Sequence, residues 1–294
     1  MKNWWQGLKG SVKLRESLKR HTTFGIGGPA RFFIEPKDVA DLKLLINLRK
    51  RYKLPLLVIG AGSNILASDK GTGAAVLHLS SPYFKKLSFK KNILEASSGV
   101  SLNAAIRAAT ERGLGGLEFM AGIPATLGGA LAMNAGIPAK SILDLVENVT
   151  VLDYNNRVKI LSKNDLRFGY RSCNLGKFII LSARLKLKKG NKKKISRDTK
   201  QYLKRRWLTQ DLSLPSAGCV FKNPKGDSAG RLIDLCGLKG GSVGGAAISL
   251  KHANFIVNRR HARAKDVLRL IALAKKEVKK KFGIVLEPEI IIWD

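Results

Sequence analysis

The chain of 294 residues is poor in cysteine, in acidic side chains and in long apolar runs. Its three cysteines, Cys173, Cys219 and Cys236, form no CxxC pair, which argues against a disulfide framework and a thiolate zinc site. The four histidines, His21, His78, His252 and His261, show no ligand-like spacing, so no metal is expected. No stretch approaches the ~18 consecutive apolar residues of a membrane helix. The opening MKNWWQGLKGSVKLRESLKRH is broken by charge or glycine every few positions and lacks the apolar core of a signal peptide. These absences lead us to expect a reduced, cytoplasmic protein with no membrane partner.

The shortage of acid is the largest imbalance: 21 Asp and Glu face 54 Lys and Arg, a net charge of +33. Such a chain attracts polyanions through counterion release. The basic residues are nevertheless spread along its whole length. The local runs at 19–23, 188–194 and 279–281 carry no interleaved aromatics. We read them mainly as solvated faces, with steering of anionic small ligands second, and expect no specific nucleic-acid partner.

What is present is punctuation by glycine. Apolar spacing after Asp38 predicts a helix over 37–53, and Pro55 then leads into a strand, LLVIG, at 56–60. That strand runs directly into GAGSNIL at 60–66, where backbone N–H groups can face an anion. Helices are predicted at 102–112, capped by Ser101 and ended by Gly113, at about 196–206, at about 228–236, and at 262–282 ended by Gly283. Strands are predicted at 146–152, 178–187 and 284–293. The lysine-rich turn at 188–194 is the best candidate boundary. A second glycine-rich segment, GLEFMAGIPATLGGALAMNAG at 116–136, also holds Phe119, Ile123, Leu127, Leu131 and Met133. We read it as a loop too apolar for a solvent connection and able to wrap a flat aromatic ring. Neither segment matches GxGxxG or a Walker loop, so dinucleotide-fold and P-loop readings fail. The nonapeptide SAGCVFKNP at 216–224 sets a thiol, an ammonium and an amide close together, and LEPEI at 286–290 supplies two carboxylates on one strand face.

These segments, with HTTFGIGGPA at 21–30, FGYRS at 168–172 and HANFIVN at 252–258, resemble the UDP-N-acetylenolpyruvoylglucosamine reductase family. The likeness runs in order from residue 21 to residue 290. It implies an α+β fold: a two-part FAD-binding domain of the PCMH or vanillyl-alcohol-oxidase type at 1–87 and 88–190, then an α+β substrate-binding domain at 191–283. Strand 284–294 would return to the first part. The chain length resembles the subclass without an inserted tyrosine loop. The resemblance implies FAD and NADPH as cofactors, a UDP-linked enolpyruvyl amino sugar as substrate, and a monomer. FAD would be held by Gly60, Ala61, Gly62, Ser63 and Asn64 and by Gly122, Ile123, Pro124, Thr126, Gly128, Gly129, Asn134 and Gly136. Arg171 and Glu289 match the family's catalytic arginine and glutamate. Cys219 stands where members usually carry a proton-donating serine, and Lys222 and Asn223 beside it would contact substrate. Ala125 stands where glycine is usual, which matters if that backbone needs positive φ. Asp211 replaces a common proline. Two other readings compete: another flavin oxidoreductase on the same scaffold, and a basic nucleic-acid-binding protein, which explains the charge but not the glycines.

Overall fold

The computed structural model describes residues 4–293, which divide into two compact units interleaved along the chain. The first takes residues 1–14, 32–60 and 74–204, and the second takes 15–31, 61–73 and 205–294. Six α-helices are used below: α1 (Val39–Arg51), α2 (Leu102–Glu111), α3 (Leu127–Ala132), α4 (Lys192–Thr209), α5 (Ala229–Leu235) and α6 (Ala264–Phe282).

The caps explain where these helices begin. Asp38 accepts the Asp41 N–H at 2.9 Å, Ser101 the Ala104 N–H at 3.2 Å, and Ser228 the Arg231 N–H at 3.1 Å. Each satisfies one of the donors that a first turn leaves without a partner. Gly283 ends α6 in the left-handed conformation, φ 71°, which suits a residue without Cβ. Helix α4 starts earlier and ends later than the predicted 196–206. Asn191 Oδ1 accepts the N–H groups of Lys193 and Lys194, at 2.9 and 3.2 Å, so the lysine-rich stretch is pulled into the first helical turn. Lys188–Lys189 also pairs with Leu114–Gly115 as a short strand.

In the first unit an antiparallel five-stranded sheet runs in the order Val158–Ser162, Val146–Leu152, Ile179–Lys186, Ile93–Ser97, Leu87–Lys90. Helices α2 and α3 bury Leu102, Ala105, Ile106, Leu127 and Leu131 with Leu94, Val149, Val151 and Leu185 of the sheet. Each such Leu, Ile or Val contributes about 1.5–3 kcal/mol. A second core in the same unit packs Leu42, Leu45 and Ile46 of α1 with Phe32, Ile34, Ala75 and Leu77. There Leu56–Ile59 lies parallel to Ala75–His78.

The second unit holds an antiparallel sheet in the order Ser216–Cys219, Phe255–Asn258, Ala246–Ile248, Ser242–Val243. Helices α5 and α6 cover it, burying Leu232, Ile233, Val267, Leu270, Ile271 and Val278 with Phe221, Ile248 and Ile256. The C-terminal strand is shorter than predicted. Only Ile291–Trp293 pairs, parallel to Ile65–Ala67, while 284–290 makes a single bridge between Pro288 and Phe221. Pro288 lacks the N–H that a continuing ladder needs.

Candidate active site

The glycine-rich segment 116–136 is not the open loop expected from its sequence. Its second half folds as α3, capped by Thr126, whose Oγ1 accepts the Gly129 N–H at 3.2 Å. The N–H groups of Leu127 and Gly128 donate to the carbonyls of Val100 and Ser98, both at 2.8 Å. All three leading donors of the helix therefore have protein partners. The glycines here allow close chain approach. A Cβ on Gly60 would lie 2.5 Å from Thr126 Oγ1, and one on Gly128 would lie 2.8 Å from Ser98 Cβ. A Cβ on Gly136 would collide with the Lys140 carbonyl. Gly122 has φ 78°, followed by half-buried Ile123 and exposed Pro124. Ala125 is not among the positive-φ residues, and its N–H donates to the Ile123 carbonyl at 2.9 Å, so this backbone tolerates its methyl.

Asn134 closes the segment and joins it to the arginine. Buried and at φ 43°, it donates from Nδ2 to the Gly169 carbonyl at 2.8 Å and accepts the Leu143 N–H at 3.4 Å. Gly169 belongs to a tight hairpin in which Phe168 pairs with Cys173 and Gly169 with Ser172. Cys173 Sγ donates to the carbonyls of Leu131 and Ala132, at 3.4 and 3.1 Å, anchoring the hairpin to the end of α3. Burial raises the Cys173 pKa, which keeps it a thiol able to donate. Arg171 sits at the tip with φ 52°, its Nε buried and its guanidinium carbon 5.6 Å from the Tyr170 ring centre. A left-handed arginine is a strained choice that the hairpin fixes in place.

The second unit gathers the other candidates. Asn64 Nδ2 donates to the Glu289 carbonyl at 3.0 Å, and the Glu289 N–H donates to the Val220 carbonyl at 2.7 Å. One hydrogen-bonded path thus joins the GAGSN loop, the acid of LEPEI and the residue after Cys219. Gly218, at φ 75°, makes the irregularity that separates the pairs Ser216–Val257 and Cys219–Phe255 and re-aims the strand at Cys219. Cys219 is partly exposed and free of any disulfide, and Glu289 is half-buried. Lys222 Nζ lies 3.4 Å from Glu287 Oε2, and its N–H donates to the Glu287 carbonyl at 2.9 Å. Glu287 is exposed, unlike Glu289, so the two carboxylates meet different surroundings. Asn223 Oδ1 is committed to the Ala229 N–H at the start of α5, at 3.0 Å. Asp211 accepts from Ser213 and Ser249, at 2.8 and 2.9 Å.

The loop at 61–64 differs from α3 in its donors. Among the described residues, the N–H groups of Ala61, Gly62, Ser63 and Asn64 meet no acceptor within the protein. Gly62, at φ 63°, bends the loop, and a Cβ there would collide with the His21 carbonyl. A run of idle N–H groups around a left-handed glycine is a backbone arrangement of the kind that can accept an anion.

Sequence reasoning gave no role to several residues that hold this site. The Asn254 side chain brackets Phe221, accepting its N–H at 2.9 Å and donating to its carbonyl at 2.8 Å. Thr23 donates to the Ser216 carbonyl at 2.7 Å, and Asn258 to the Phe24 carbonyl at 3.0 Å. All lie in quoted motifs, where polar side chains among apolar neighbours were the available signal. Asp69, which accepts the N–H groups of Ala264 and Lys265 at 2.8 and 3.2 Å, had no such signal.

The chain resembles known proteins along most of its length. Residues 210–293 match the family model described as the UDP-N-acetylenolpyruvoylglucosamine reductase C-terminal domain, and residues 30–162 match an FAD binding domain. The UDP-N-acetylenolpyruvoylglucosamine reductase of Caldanaerobacter subterraneus is 42% identical, covering 97% of this chain and 94% of that protein. The enzyme of the same name from Caldicellulosiruptor bescii is 46% identical, covering 93% and 88%. The crystal structure of the UDP-N-acetylenolpyruvylglucosamine reductase of Thermus caldophilus superposes with a TM-score of 0.83 at 38% identity, covering 98% of this chain and all of that one.

Proposed function

The chain belongs to the UDP-N-acetylenolpyruvoylglucosamine reductase family, and from that premise we propose which of its residues hold the cofactor and carry the reaction. The protein is an FAD-dependent oxidoreductase of peptidoglycan synthesis, reducing UDP-N-acetylenolpyruvoylglucosamine to UDP-N-acetylmuramate with NADPH. The fold is α+β, with an FAD-binding domain of the PCMH type. Among the described residues no helix is long and apolar enough to cross a membrane.

The residues present fit FAD. Ala61–Asn64 offer the idle N–H groups that a diphosphate accepts from, whereas Gly60, Gly122, Ile123, Pro124, Thr126, Gly128, Gly129, Asn134 and Gly136 would shape the wall for the ring system. FAD supplies hydride transfer from NADPH to the enolpyruvyl double bond. Addition of hydride leaves negative charge on the neighbouring carbon and its carboxylate. Arg171, charged at any working pH, is suited to stabilise that charge. Cys219 then gives its thiol proton to the carbon. Glu289, fixed through its own backbone to Asn64 and Val220, orients the groups around the substrate carboxylate. Lys222 and Asn223 are our candidates for substrate contact. We further propose FAD-binding parts at 1–87 and 88–190 with strand 284–294, a substrate-binding part at 191–283, a monomer, and a cytoplasmic location.

The observation that carries this assignment is the path Asn64–Glu289–Val220, because it ties the 61–64 loop to Glu289 and to the residue next to Cys219. The test is anaerobic stopped-flow absorbance in two half-reactions. Cys219→Ala should slow flavin reoxidation by substrate about 10²–10⁴-fold, the range for loss of a general acid, and leave reduction by NADPH intact. Equal slowing of both halves would remove Cys219 from the proton-donor role.

A further inference from the structure

The last turn of helix α4 leaves two large apolar side chains in water beside a run of basic residues. Trp207 is 56% exposed and Leu208 66% exposed, in the last turn of the helix. Leu250, 68% exposed, lies on the segment 249–251 that packs against that turn. Two contacts hold it there: Lys251 Nζ donates to the Trp207 carbonyl, and Ser249 Oγ donates to Asp211 at 2.9 Å. Among the described residues the Trp207 ring makes no aromatic or cation–π contact. Arg205 and Arg206 precede it, and α4 as a whole carries eight Lys and Arg against one Asp. Asp211 faces Lys251, and Asp234 pairs with Lys239 at 2.6 Å, so the charge on the helix itself is unbalanced.

Catalysis as assigned above uses none of these residues. We propose that Trp207, Leu208 and Leu250 form a peripheral docking surface for a bilayer carrying anionic lipid headgroups. An indole and two leucines beside a basic helix are the composition of an interfacial anchor: the rings and leucines enter the acyl boundary while Lys and Arg meet the headgroups. The two exposed leucines favour lipid over nucleic acid, whose aromatic stacking platforms have no use for aliphatic side chains. The charge of +33 complements an anionic bilayer and opposes association with a second copy of the same chain. This is surface attachment, distinct from the spanning segment that the chain lacks and a departure from the expectation of no membrane partner.

The test uses the FAD-loaded protein with vesicles of phosphatidylcholine alone or with phosphatidylglycerol, read by co-sedimentation and tryptophan emission. Binding with a blue shift only on phosphatidylglycerol is expected, weakened by salt and lowered about tenfold or more in Leu208→Asp/Leu250→Asp. Unchanged melting temperature and flavin content will show that the variant is folded. No binding at low salt would overturn the proposal. So would equal binding by the variant, which would mean attraction by net charge alone, or preference for a single-stranded oligonucleotide insensitive to both leucine changes.

Discussion

The two glycine-rich segments look alike in sequence and do opposite things. In 122–136 the glycines let strands and helix touch, and the leading N–H groups of α3 already have protein acceptors. In 61–64 one left-handed glycine bends a loop whose four N–H groups have none. Glycine content alone therefore does not mark a phosphate site. We propose 61–64 as the diphosphate site because glycine is combined there with donors that lack protein acceptors, and such an N–H needs a partner from somewhere.

The largest effect expected from this contrast is at Gly62. Gly62→Ala adds a collision with the His21 carbonyl to a left-handed conformation, and should cost about 2–4 kcal/mol while abolishing flavin uptake. Thermal melting with and without added FAD would check it, and a variant that melts normally and stays yellow would erase the distinction. Thr126→Ala comes next. It removes the cap of α3 and should cost about 1 kcal/mol, with Thr126→Ser close to neutral. Gly129→Ala is the sharpest contrast to Gly62→Ala. Its Cβ would meet Thr126 Oγ1 at 3.4 Å in helical backbone, so apoprotein stability should rise or hold within about 1 kcal/mol. Any loss of FAD affinity in that variant then reports the cofactor wall and not the fold.

How much of this could be read in advance follows from the kind of signal each element carries. Helices α1, α2, α5 and α6 were legible because Asp38, Ser101, the pair Asp227 and Ser228 (of which Ser228 is the cap) and Gly283 mark their ends, and apolar residues recur at helical spacing in the longer ones. Helix α3 was hidden because two glycines in six residues mask its propensity, and it forms through Thr126 and its packing. The start of α4 was hidden behind lysines that read as a linker until Asn191 caps them. At the site, Arg171, Cys219 and Glu289 were named through family likeness, with composition silent about them. Long-range hydrogen bonds such as Asn64 to Glu289, 225 residues apart in sequence, have no local signature at all.

Acid gives the mildest separation between the regions holding the two segments. In the second unit His252 Nδ1 accepts the Asn254 N–H at 3.2 Å, and the Asn254 side chain clamps Phe221, two residues past the end of the strand Ser216–Cys219. Burial, with help from Lys239, lowers the His252 pKa below 6.5. Its neutral form is therefore favoured by folding, and that contribution is complete above pH 6.5 and lost as pH falls toward the lowered value. In the first unit burial pushes the Glu35 pKa up, but hydrogen bonds from Ser80, Lys13, Ser11 and His78 outweigh it and hold it at about 2. That contribution is present above about 4.5 and is lost only as pH falls through about 2. Between pH 6.5 and 5.5 only the second unit should loosen through these groups, by at most about tenfold in amide exchange at Phe221. His252→Gln should flatten that dependence, whereas equal acceleration near Glu35 would show that the two regions share one acid-sensitive element.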